Sequence, residues 1–193
     1  MMFALKLLVP AAALFILLNF FYVPSCGRFS CSYEPAWPPR AQAGSSDGCP
    51  DAIHGAMNDG QWAADRYSEI KDERDTTGVF YDQDGVRQTF ASGDEKGADA
   101  ELARKVLREV GARADRSDGF PAATHVEVKV AALMRERGVT AGVLVINHVG
   151  GPCTGTAGFA CSEVLSLIVP PGSTLRVWFK ALDGSGMQYQ DYP

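Results

Sequence analysis

His125, Glu127, Cys153 and Cys161 are residue types that can do chemistry together. A neutral imidazole and two thiolates supply three ligands to a tetrahedral ion and leave the fourth position for water, as catalytic rather than structural zinc sites require. Glu127 is then free to move protons. Plainer readings compete. Cys153 and Cys161 can pair as a disulfide in a secreted, non-enzymatic module, which leaves the spacing of His125 and Glu127 as coincidence. Thr124-His125-Val126-Glu127 also has the form of a capping box, with Glu127 reaching back to the Thr124 amide. His148 is a rival imidazole near Cys153, but a histidine beside a glycine-rich loop is more often a surface or supporting group, and only His125 is accompanied by Glu127. His54 stands alone and takes no role.

The elements that must position these residues follow from periodicity and punctuation. Phe3 to Val23 is almost wholly apolar, and 21 helical residues reach about 31 Å, enough to cross a hydrocarbon layer of about 30 Å. Residues 1–24 therefore read as an export signal or membrane anchor, and residues 25–58, rich in Ser, Pro, Gly and Cys, as a linker. The domain proper is expected over 59–193, with its core at about 76–180. Trp62, Ala63, Tyr67 and Ile70 fall near helical spacing after Asp59 and Gly60. Val79 to Tyr81 and Val86 to Phe90 flank Asp84-Gly85, the signature of a tight hairpin. Leu102, Val106 and Val110 mark a helix from about Ala98 to Val110.

The next helix would bury Val126, Val130, Leu133 and Met134 and end at Gly138. Residues 142–147 form a strongly apolar strand of the kind buried on both faces. A helix from Cys161 to Val169, stopped by Pro170-Pro171, then leads to a strand over 174–179. A right-handed crossover makes those two strands parallel, and residues 187–192 add an edge strand. Cys153 falls at the carboxyl end of a strand, where open α/β sheets place ligands. Cys161 falls at a helix N-terminus, where the dipole favours a thiolate.

The order H-x-E, then P-C, then a further cysteine is the pattern of zinc-dependent nucleobase deaminases. The run HVEVKVAALMRERGVTAGVLVINHVGGPCTGTAGFACSEVLSLIVPPGSTLRVWF resembles the bacterial deaminase toxins of the DddA-like (SCP-type) family, and TGVFYDQDGVRQTFASGD resembles the hairpin that begins their domain. One departure stands out: seven residues separate Cys153 from Cys161, where the P-C-x-x-C pattern has two. The resemblance implies a three-layer α/β/α cytidine-deaminase-like sandwich with a mixed sheet of four or five strands. It also implies zinc on His125, Cys153 and Cys161, Glu127 as proton shuttle, and conversion of cytosine to uracil in double- or single-stranded DNA. Asn147 and Ser92 would lie at the substrate by the same analogy, and Phe159 could stack on a base. Members of that family are typically interbacterial toxins made with an immunity protein. RNA or a free nucleoside is the nearest alternative substrate.

Charge and cysteine content constrain these readings. The 193-residue chain carries a net charge of −5, and from Thr76 onward it has 12 Lys and Arg against 14 Asp and Glu, a net of −2. General electrostatic capture of nucleic acid is therefore weak, and contacts would fall to local cations such as Lys129, Arg135, Arg137 and Arg176. Cys26, Cys31 and Cys49 precede the domain, and export would allow two of them to pair.

Overall fold

The computed structural model describes residues 53–115, 117, 119–155 and 160–193. The apolar leader, most of the expected linker, Cys26, Cys31, Cys49 and Phe159 lie outside the described residues, as does the side chain of His54. The described elements run α1 (Ile53–Ala56), α2 (Gly60–Ile70), β1 (Thr77–Asp82), β2 (Arg87–Ala91) and α3 (Ala98–Glu109). A 3-10 turn (Pro121–Thr124), α4 (Val126–Arg137), β3 (Ala141–Ile146), α5 (Cys161–Ile168), β4 (Thr174–Lys180) and β5 (Met187–Tyr192) follow. Among the described residues no helix is long and apolar enough to cross a membrane.

The strands form one mixed sheet in the order β2-β1-β3-β4-β5. β1 pairs antiparallel with both β2 and β3, β3 pairs parallel with β4, and β4 pairs antiparallel with β5. The hairpin closes where expected. Gly85 takes φ 74°, a conformation a residue without Cβ adopts freely, and the Asp82 carboxylate accepts from the amides of Asp84 and Val86. The β3-α5-β4 crossover is the parallel unit expected from the alternation of apolar strand, helix and strand.

Side chains along a strand point to alternate faces, and the two faces collect separate cores. Val79, Tyr81, Val143, Val145 and Trp178 pack with Ile53, Ala56, Trp62 and Ile70 from α1 and α2. Phe80, Leu144, Ile146, Leu175 and Val177 pack with residues of α3, α4 and α5. This is the three-layer α/β/α sandwich. Ile53 and Ala56, within the stretch read as linker, are fully buried in the first of these cores.

The helix that carries the chemistry departs from expectation. A single apolar stripe was expected on α4, yet every residue from Val126 to Met134 is buried. α4 lies on the sheet with α3 and α5 packed along its sides, and a helix enclosed on all sides has no solvent face. Gly78 lets it approach the sheet: a Cβ there would stand 2.6 Å from Val126 Cγ1 and 2.8 Å from Leu144 Cδ1. Gly138 ends the helix in the left-handed region at φ 67°, the usual conformation after a helix C-terminus.

Candidate active site

The capping box does not form. His125, not Thr124, is the N-cap, with φ −81° and ψ 143°, and no side chain caps the helix. Thr124 belongs to the preceding 3-10 turn, where its hydroxyl donates to the Pro121 carbonyl. The consequence is chemical. Side chains two apart in a regular helix diverge by about 200°, but extended backbone at position 125 removes that restriction and lets the imidazole face the same cavity as Glu127.

Cys153 reaches the site from the loop after β3, and Cys161 from the first residue of α5. His125 Nδ1 lies 3.0 Å from Cys161 Sγ and 3.6 Å from Cys153 Sγ. The three donor atoms all fall within 4.8 Å of one another. Zinc bonds of about 2.0–2.3 Å at tetrahedral angles place a nitrogen and a sulfur about 3.6 Å apart and two sulfurs about 3.8 Å apart. This donor set therefore fits a single metal ion. Both cysteines are free thiols, so the disulfide expected under the non-enzymatic reading is not formed. The seven-residue spacing is no obstacle to their meeting.

The helix N-terminus serves a different sulfur from the one expected. The Cys161 amide donates to Cys153 Sγ over 3.1 Å. Hydrogen bonds from the Cys161 thiol and that amide, together with the nearby His125, lower the Cys153 thiol to about 5. The Cys161 thiol goes the other way. Its own bond to Cys153, its burial and the Glu127 carboxylate hold it far above the ordinary thiol range. Without a cation, this space admits one thiolate readily and resists a second, which is the electrostatic demand a divalent ion satisfies.

Glu127 is buried, 3% exposed, with Oε2 4.0 Å from Cys161 Sγ. Burial raises its carboxyl above the usual range, opposed by its backbone bond and by His125 and His148. A buried carboxyl poised to hold a proton beside three metal-ligand types can act as general acid and base. Glu127, His125 and Cys153 line a cavity of about 140 Å³ with Thr76, Ser92 and His148. Within it, His148 supports the loop: its Nδ1 lies 2.8 Å from the Gly151 carbonyl, which only accepts, so Nδ1 carries the proton.

The substrate-binding expectations divide. Ser92 lines the cavity, and Asn147 does not. The Asn147 carboxamide is consumed by backbone: Oδ1 accepts from the Thr77 amide, and Nδ2 donates to the carbonyls of Ile70, Glu73 and Asp75. It fastens the segment before β1 to the end of β3. Phe159 lies outside the described residues. Thr76 gave no sequence signal, being one hydroxyl among many. Tyr192 gave none either: its buried hydroxyl has no hydrogen-bond partner among the described residues, and burial, followed by the nearby Glu127 and Cys161, pushes its phenol pKa up and disfavours ionisation.

The expected cation patch also changes. Lys129 is 4% exposed. Arg176 is paired with Asp191 and lies over the Tyr189 ring. Arg135 donates to the last carbonyls of α5, and Arg137 donates to Gln88. All four serve the fold because each sits where a carbonyl, carboxylate or amide of another element is already within reach.

A family model described as SCP1.201-like deaminase matches residues 46–191. The chain belongs to the SCP1.201-like deaminase family. A search of curated proteins finds no match. The matched span starts before α1 and reaches all of β5 but its last residue, Tyr192. Within this deaminase, the clustered His125, Cys153 and Cys161 are the residues placed to bind a metal ion.

Proposed function

We propose that the protein is a zinc-dependent deaminase that converts cytosine to uracil in DNA. One observation carries the deaminase chemistry: three zinc-type donor atoms lie within 4.8 Å of one another, and two of their residues, His125 and Cys153, line a cavity with the buried carboxyl of Glu127. His125, Cys153 and Cys161 would hold the zinc, whose contribution is Lewis acidity that lowers the pKa of a water toward neutrality. Glu127 takes the proton from the water whose oxygen attacks C4 of the base. It then delivers protons to N3 and to the departing amine, so that cytosine and water yield uracil and ammonia. Ser92, on the cavity wall, contacts the base. Asn147 acts indirectly, by holding the backbone from which the wall is built.

The resemblance to bacterial deaminase toxins supports a role in competition between bacteria, with an immunity protein covering the cavity. Residues 1–24 would then serve export or anchoring, residues 25 onward a tether, and the enzyme would act inside a target cell. Cytidine in RNA or as a free nucleoside is the second reading. What favours it is that Lys129, Arg135, Arg137 and Arg176 are engaged within the fold, which suits a substrate with a small footprint.

The test is incubation of the full chain and its Glu127→Ala variant, each loaded with zinc, with matched single- and double-stranded DNA, RNA and cytidine. Uracil in DNA from the intact protein alone is expected. Turnover of RNA or cytidine only would replace the DNA assignment, and no uracil from any substrate despite bound zinc would sink the reading.

A further inference from the structure

Lys129 is a buried cation whose ammonium, among the described residues, bonds only to backbone carbonyls. It stands one helical turn beyond His125, whose carbonyl accepts its amide over 3.1 Å, and its ammonium donates to the carbonyls of Ala91 at 2.8 Å and Gly93 at 3.5 Å. No carboxylate pairs with it among the described residues. An ammonium is costly to desolvate, and carbonyls carrying partial charge offset that cost less well than a carboxylate does. A methionine would fill the same volume without it. The lysine is explained by what its two acceptors flank, which is Ser92.

The backbone around Ser92 is tied at four points. Besides the two carbonyls held by Lys129, the Ser92 amide donates to the Thr76 carbonyl at 2.7 Å, and the Gly93 amide to the Thr124 carbonyl at 3.2 Å. Gly93 takes φ 86°, a turn that glycine makes without strain. The Ser92 side chain meanwhile lines the cavity beside Glu127, and its hydroxyl forms no hydrogen bond among the described residues. A hydroxyl left free while four backbone groups around it are bound is available to a ligand.

We infer that Lys129 is a positioning residue. Rooted on the helix that carries Glu127, it holds the Ser92 hydroxyl at a set distance from that carboxyl, so that Ser92 bonds a polar atom on the edge of the substrate's ring. The inference rests on the deaminase reading, because the ring edge is the substrate's. A clamp of this kind acts on rate through Ser92 alone, whereas a lysine needed only for folding would affect activity whatever stands at position 92.

The experiment is a double-mutant cycle on the zinc-loaded full chain: wild type, Ser92→Ala, Lys129→Met and the double variant. The readouts are kcat and KM on a cytosine-containing oligonucleotide, zinc stoichiometry, and hydrogen exchange at the Ser92 and Gly93 amides. Lys129→Met should keep its zinc, exchange those two amides faster, and lose about tenfold or more in kcat/KM, as small misplacements do. In the Ser92→Ala background the same change should cost less than about twofold, since residues acting as a unit are non-additive. Should Lys129→Met lose its zinc or fail to fold, Lys129→Gln, which keeps donors for both carbonyls, takes its place, and partial recovery of kcat/KM is then expected. Additive losses, or unchanged exchange at both amides, overturn the inference and leave the deaminase reading standing. A wild type that turns over no cytosine substrate sinks the deaminase reading and the ring contact with it, and the exchange data alone then decide whether Lys129 clamps the loop.

Discussion

Glu127 and the two thiols divide the work of the cavity by their protonation preferences. Cys153 is held low enough to ligate at neutral pH, whereas Glu127 is raised by burial and keeps affinity for a proton. These preferences separate the proton-transfer residue from the ligands, and substitution should do the same. Glu127→Ala should lower deamination by about a thousandfold or more, within the range proton transfer supplies, while zinc per chain, read by atomic absorption, stays at the wild-type value. Loss of zinc in that variant would reassign Glu127 as a ligand. Cys153→Ser should lose both zinc and activity, because a serine hydroxyl does not ionise at neutral pH and is a poor ligand for zinc. Zinc retained at wild-type stoichiometry in Cys153→Ser would count against the proposed donor set.

At the scale of elements, the site depends on how close α4 comes to the sheet. Gly78, where the β1–β3 pairing begins, is a point of close approach, and any side chain there meets Val126 one residue after His125. Gly78→Ala should destabilise the protein by about 1–3 kcal/mol, the usual cost of overpacking, as read from denaturant unfolding. It should also reduce deamination in the surviving folded fraction, since the first turn of α4 must shift. Gly55→Ala is the control: nothing lies within 4 Å of an added Cβ, and it should leave both stability and activity within error of wild type. Equal effects of the two substitutions would refute the close-packing argument.

For the whole molecule, metal and fold should be linked. The three candidate ligands come from the start of α4, the loop after β3 and the start of α5, so a bound ion joins α4 to the β3-α5-β4 crossover. A ligand that binds only the native state stabilises it, by about 2.7 kcal/mol at a hundredfold excess over Kd. Treatment with a chelator should therefore lower the thermal midpoint and free two thiols within the domain to titration. Restored zinc should reverse both. A midpoint indifferent to chelation, with zinc verified as removed, would mean that the ligands are already held by packing alone.

Read without coordinates, the chain determined much of this. Alternating apolar residues, the Asp84-Gly85 turn and the strand-helix-strand run are local signals, and they sufficed for the hairpin and the parallel crossover, whereas the layered sandwich was expected from the family resemblance. His125, Glu127, Cys153 and Cys161 were legible because their chemistry is rare and their order matched a known pattern. Tertiary structure decided what depends on distant partners. It made His125 the N-cap, directed the Cys161 amide to Cys153, and buried Lys129 against carbonyls of the loop after β2. It also occupied Asn147 with backbone groups 70 to 77 residues away in sequence. Periodicity reports which face of an element is apolar, but which polar atom stands opposite a given side chain is fixed only once the layers close, because hydrogen bonds act over about 3 Å.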